Sequence, residues 1–322
     1  TSLFNSARIM MEAVEFSRTR LEAAREKLQV NQFDEIYLKF HSAAGTIIIG
    51  GMGVNRYYED AALLIDLGGN DIYRNNAGGF IDEHDGVCCL IDMDGNDYYE
   101  NLTPGTVGGT ICGSGLLIDY DGHDTYRSDC LGQGSAICGV SMLYDESGDD
   151  TWIGNVFTQG AALFGIGLAV DVGGNDAFHC RSLSQGFASS LSAGILVNVS
   201  GNDTYNAGPA WHSEDSSKLD LSVFTQGASV GFQAKDTDRI MSLYGGIGFL
   251  VDADGNDQYL ASKFSQGAAR FAALGMLLDS NGNDGYQSTG YSQATAMDWS
   301  SACLVDQHGD DWYQCKDSGQ GC

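Results

Sequence analysis

The sequence writes one phrase nine times, and this repetition constrains the fold more than any other property. The phrase is a short apolar run, then Asp-x-x-Gly-Asn-Asp in its commonest form, then one residue and an aromatic. Phe249-Leu250-Val251-Asp252-Ala253-Asp254-Gly255-Asn256-Asp257-Gln258-Tyr259 is a full copy. Its first polar position falls at Asp66, Asp92, Asp119, Asp145, Asp171, Asn198, Asp252, Asp279 and Asp306. Successive starts lie 26, 27, 26, 26, 27, 54, 27 and 27 residues apart, so the one long step equals two periods. A fixed period of this size means stacked structural units that share a continuous core.

Each unit reads as strand, turn, corner. A short apolar run bounded by turn residues is a strand signal, as in Leu63-Leu64-Ile65. Gly holds the fourth turn position in all nine copies, which implies positive φ or a tight stack. Two residues past the second Asp comes an aromatic, and fourteen past the first most units carry Gln: Gln133, Gln159, Gln185, Gln266, Gln293 and Gln320. A unit of 26 or 27 residues suits a three-sided coil. The expected fold is therefore an all-β solenoid, a right-handed parallel β-helix of about nine to ten coils, with an N-terminal α-helical cap. A β-propeller fits less well, because its blades need roughly 40 residues. Stacking at about 4.8 Å aligns like with like, and predicts that the Gln side chains bond one another in a ladder.

Residues 3–28 place Leu3, Ala7, Met10, Val14, Ser17, Leu21, Ala24 and Leu28 at alternating steps of four and three, the stripe of a helix. That helix is expected over the end or side of the solenoid, or in a contact between copies. Residues 50–57 look like a decayed repeat, so residues 1–60 read as helix and capping segment and 61–322 as the repeat domain. Inside the long step, Gln226 lies 28 residues after Asn198. This implies insertions at about 208–221 and 233–244, or one degenerate coil. Insertions in solenoids emerge as loops, often on the binding face. Trp211, His212, Glu214, Asp215, Asp236 and Asp238 are thus the candidates for a polysaccharide-cleaving site, the alternative function. The chain starts at Thr1 without a signal-type segment, which reads as processing or a fragment.

The chain carries 43 acids against 16 bases, a formal charge of −27, which argues against nucleic acid and anionic membrane as partners. No apolar run approaches the roughly 18 residues of a membrane span. Nine Cys, an odd number without regular spacing, do not make a disulfide framework, although Cys112 and Cys138 share a phase and are close enough to bridge.

The acids themselves are ordered. First-position Asp66, Asp92, Asp119, Asp145, Asp171, Asp252, Asp279 and Asp306 make one column. Second-position Asp71, Asp97, Asp124, Asp150, Asp176, Asp203, Asp257, Asp284 and Asp311 make another. Asp94, Asp121 and Asp254 add a third acid to their turns, which are expected to bind best. Charges 4.8 Å apart repel by roughly 3.5 kcal/mol at an effective dielectric of 20. With almost no Lys or Arg in these turns, protons, water or cations must offset the columns. Asp and Asn also cap turns through their own backbone. An oxygen-only ligand set suits a hard cation such as Ca²⁺. Zinc or copper would want His or Cys at fixed phases, whereas His123 and His308 are scattered.

Leu67-Gly68-Gly69-Asn70-Asp71-Ile72-Tyr73 and Val172-Gly173-Gly174-Asn175-Asp176-Ala177-Phe178 resemble the calcium-binding Gly/Asp repeats of RTX proteins, with pattern G-G-x-G-x-D-x-U-x. Here one motif recurs per 26 to 27 residues and an aromatic replaces the usual Leu. Residues 50–322 also look like bacterial repeat proteins of unknown function built on Gly-Asn-Asp-x-Tyr units. The resemblance implies calcium bound between coils. The expected function is a calcium-stabilised structural or assembly protein, extracellular or at the cell surface with the periplasm also open. It would associate into oligomers or polymers through an apolar stripe, the N-terminal helix or an open C-terminal coil.

Overall fold

The computed structural model describes residues 2–27, 35–79, 86–208, 224–236 and 239–319. They form a parallel β-solenoid with one helix near the N-terminus. The apolar run of each unit becomes a strand of an eleven-stranded sheet, here the first sheet. Its strands follow chain order from Leu38–Ser42 and Gly45–Ile49 to Ser301–Asp306. The residues after the Asp turn build a ten-stranded second sheet, from Arg56–Tyr57 to Trp312–Cys315. The Gln corner leads into two-residue strands such as Ala136–Ile137 and Ala162–Leu163, which line the third face. From coil to coil the pairing is parallel and in register: Asp119, Asp145 and Asp171 face one another, and so do Tyr99, Tyr126 and Trp152.

Alternation along the strand sorts the apolar run. The middle residue points inward, so Leu64, Leu90, Leu117, Leu143, Leu196, Leu250 and Leu277 form a buried column. Opposite them stand Tyr57, Tyr73, Tyr99, Tyr126, Trp152, Phe178, Tyr205, Tyr259 and Tyr286, all buried. Neighbouring rings of this column, continued by Tyr313, have centroids 4.5 to 5.3 Å apart. Such pairs add about 0.5–1.5 kcal/mol each beyond burial. The fourth turn Gly is fixed by the same closeness: a Cβ at Gly122 would lie 1.7 Å from the Gly95 carbonyl oxygen. Tight stacking, more than positive φ, explains why every copy keeps it.

The flanking residues of the apolar run point outward, and the helix Ser2–Lys27 lies over part of them. Leu21 packs against the cluster that Ile91, Met93, Leu116, Ile118, Tyr120 and Met142 form. Arg25 pairs with Asp94, while Arg18 pairs with Glu146 at 2.6 Å and stacks on Tyr120. Seven helical residues span about 10.5 Å, close to two coils at about 4.8 Å each. Arg25 and Arg18, seven apart, accordingly meet turns two coils apart. The helix therefore runs along the side of the solenoid, against the order in which the coils are laid. Among the described residues no helix is long and apolar enough to cross a membrane. Before the repeats, Leu38–Ser42 folds antiparallel onto Gly45–Ile49.

One expectation is revised, and one choice left open is decided in favour of the insertions. Each described corner Gln adopts positive φ, 55° at Gln133, and its amide bonds backbone instead of another Gln. Gln133 Nε2 donates to the carbonyls of Tyr126 and, one coil on, Ile153, at 2.8 and 3.0 Å. Gln159 and Gln266 repeat the pattern. A side chain starting from a left-handed corner reaches the neighbouring strand before it reaches its own copy. The long step is also resolved: Asn198 pairs directly with Asp252, so it is one coil with insertions. The second insertion is a hairpin of Phe232–Asp236 and Arg239–Leu243. Most of the first lies outside the described residues.

Candidate metal centre

The Asp turn sits between the first and second sheets, where both acids fold into the coil. Asp66, Asp92, Asp119, Asp145, Asp171, Asp252 and Asp279 are fully buried, and second-position acids from Asp71 to Asp284 are at most 3% exposed. Burying so many carboxylates is costly unless each finds partners. The backbone supplies some of them.

Each second-position carboxylate crosslinks two coils. Its Oδ1 accepts the N–H of its counterpart one coil earlier: Asp97 donates to Asp124, Asp124 to Asp150, Asp176 to Asp203, Asp203 to Asp257, all at 2.6 Å. The ladder begins at Asn55, whose N–H donates to Asp71 at 2.6 Å. The first-position carboxylate takes an aromatic donor from the coil before. Tyr57 donates to Asp66 and Tyr73 to Asp92. Tyr99 donates to Asp119 at 2.6 Å, Tyr126 to Asp145 at 2.5 Å, Trp152 Nε1 to Asp171 at 3.2 Å, Tyr205 to Asp252 at 2.7 Å and Tyr259 to Asp279 at 2.8 Å. Its other oxygen caps the turn at Asp66, where Gly68 N–H donates at 2.9 Å.

In most coils the second oxygen of the second-position acid is left over, and at Asp171, Asp252 and Asp279 so is Oδ1 of the first-position acid. The Oδ2 atoms of Asp71, Asp97, Asp124, Asp150, Asp176, Asp257 and Asp284 are buried without a hydrogen-bond partner. The acids that carry them come together across coil boundaries. Ligand oxygens of Asp71, Asp92 and Asp97 lie within 4.8 Å of one another, as do those of Asp97, Asp119 and Asp124, and of Asp124, Asp145 and Asp150. Asp150, Asp171 and Asp176, and Asp203, Asp252 and Asp257, repeat the arrangement. A calcium ion sits 2.3–2.6 Å from its ligands, so oxygens on opposite sides of it are about 4.6–5.2 Å apart. The spacing fits one hard cation held by three carboxylates from two coils.

Burial dominates the electrostatics. It raises Asp66 and Asp257 to about 9, Asp124 to about 8 and Asp176 to about 7, with neighbouring acids adding to the rise. Asp119, Asp145 and Asp171 are also held well above the usual carboxylate range, for the same two reasons. These acids therefore hold their protons to higher pH than ordinary carboxylates, and a bound cation would favour their release.

The remaining acids lie elsewhere. Asp94, Asp121 and Asp254, the acids expected to strengthen their turns, face outward. Asp94 pairs with Arg25, and Asp121 accepts from Ser147 Oγ at 3.2 Å. Position three of the turn thus serves the surface, not the buried groups. Asp306 and Asp311 occupy the last described coil and are only partly buried. Trp211, His212, Glu214, Asp215 and Asp238 lie outside the described residues, as does the side chain of Asp236. Cys112 and Cys138 stand on neighbouring coils as free, exposed thiols. The aromatic donor to each first-position acid was missed by sequence reasoning, although the constant seven-residue spacing of Asp and aromatic within a unit signals a shared level. Comparison with family models, curated proteins and solved structures found no match.

Proposed function

We propose that the chain is a non-catalytic structural solenoid that takes up Ca²⁺ between its coils, working outside the cell or at the cell surface. The observation that carries this reading is the orphaned, buried Oδ2 of the second-position acid, repeated from Asp71 to Asp284. A buried carboxylate oxygen with no donor is an incomplete site, and second-position acids from Asp71 to Asp257 stand in groups of three carboxylates drawn from two coils. Calcium suits the all-oxygen donor set and tolerates the loose geometry that stacked turns provide. Chemical activity is not part of the proposal. The ions hold coils together, and free calcium is abundant in the setting proposed.

The proposal includes self-association. Beyond the helix contact the outward apolar phase continues as Ile195, Val197, Phe249, Val251, Met276 and Leu278, all partly exposed. A strip of this kind suits a second copy better than water.

The test is thermal unfolding with light scattering, in calcium and after chelation. Chelation near neutral pH should lower Tm by more than 10 °C, with readdition of calcium restoring it, and should shift the scattering mass. A chelated protein with the same Tm would overturn the calcium reading. An unchanged monomer mass in calcium would remove self-association alone.

A further inference from the structure

The acid columns contain one level unlike the rest, and two differences coincide there. From Tyr57 to Tyr259 the aromatic of one coil donates an O–H or N–H to the first-position acid of the next. Phe178 has no donor, and the residue it would serve is Asn198, the one first position without a carboxylate. Donor and acid are lost together. The amide then brings its turn a neutral N–H donor where every other first position brings a carboxyl group. Asn198 Nδ2 donates to Asp203 Oδ2 at 2.8 Å. That is the oxygen left orphaned in the equivalent acids.

We propose that this level is an ion-free break that divides the acid columns into two separately loaded blocks, one ending at Asp176 and the other starting at Asp203. The inference rests on the calcium reading above. An N–H aimed at Asp203 occupies the place where a cation would otherwise meet that carboxylate. An amide brings no charge to repel, so Asp203 needs no ion from this side and forms a three-carboxylate group with Asp252 and Asp257 on the other. Asp176 likewise belongs to the group it forms with Asp150 and Asp171. The break sits in the coil that also carries both insertions. The solenoid is therefore interrupted electrostatically where its outline is interrupted.

The experiment is a count of tightly held calcium per chain, by elemental analysis of the full protein after removal of loose ions. The wild type is compared with Asn198→Asp and with Phe178→Tyr/Asn198→Asp. Both variants should hold one calcium more than the wild type, and the double variant should melt higher in calcium than the single, because the added hydroxyl serves the added acid. The converse pair Tyr205→Phe/Asp252→Asn adds a second break one coil on from the one at Asn198. It should stay folded and hold one calcium fewer, which keeps the test decisive if the added acid prevents folding. Counts unchanged in these variants, with calcium present in the wild type, would overturn the break and leave the calcium reading intact. A wild type that holds no calcium would overturn both.

Discussion

At the scale of single residues, the Tyr hydroxyl is the least obvious working part. Tyr99 is buried between Tyr73 and Tyr126, with centroids 4.5 and 4.9 Å away, and reads as core packing until its hydroxyl is followed to Asp119. Tyr99→Phe keeps the stack and deletes one donor to a buried carboxylate. It should destabilise the fold by about 1–3 kcal/mol, measured by denaturant unfolding in calcium. A change below a few tenths would mean that the ring alone matters. The acids make a second prediction. Burial raises Asp71, Asp150, Asp252 and Asp279 to about 6, Asp284 to about 7, Asp203 to about 8 and Asp66 to about 9. Folded carboxyls that titrate above their ordinary value near 4 bind more protons than the unfolded chain does. Their stabilising contribution is complete below about pH 4 and is lost as pH rises through 6 to 9. The Tm of chelated protein should therefore fall across that window, and saturating calcium should flatten the fall. A chelated protein that gains stability from pH 5 to 9 would contradict the sign.

At the scale of elements, the helix and the first sheet share a period. Seven helical residues rise about 10.5 Å and two coils about 9.6 Å, so an apolar stripe with heptad spacing meets one outward position per coil. The two Arg contacts, with Asp94 and Glu146, confirm the match at two points. Exposed ion pairs contribute only about 0–1 kcal/mol, so the apolar contact of Leu21 should dominate. Leu21→Glu should free the helix while leaving the coils folded. Limited proteolysis would then cut within residues 2–27 much faster than in the wild type, with the core fragment resistant. Equal cleavage rates would show that the helix is held by other contacts.

For the whole molecule, the repeat made nearly all of the architecture legible. Period gave coil, the apolar run gave strand, and phase gave columns of acid and aromatic. Phase alone does not say which oxygen of a carboxylate faces which neighbour. The Tyr57–Asp66 hydrogen bond, the orphaned Oδ2 atoms and the outward turn of Asp94, Asp121 and Asp254 were therefore beyond it. Nor does phase give the conformation of a corner, and the positive φ at Gln133 is what sends its amide to the backbone. The helix stripe was legible, but its choice of the side over the end depended on Arg25 finding Asp94. The columns, read from spacing, are what the structure buries.

The aromatic column has an optical consequence. Trp152 is fully buried within it, 4.7 Å from Tyr126 and 5.3 Å from Phe178, with further tyrosines stacked on both sides. Tyrosine excitation passes readily to tryptophan at such separations, so the column gathers light along its length and delivers it to one indole near the middle. Trp299 is 99% exposed and Trp312 is partly exposed, and both emit from a wet surface. Trp152 emits from a dry interior, shielded from soluble quenchers. Its short-wavelength emission, excited through tyrosine, is a built-in gauge of how many coils remain stacked: as coils peel from an end, donors drop out and the borrowed light dims by steps.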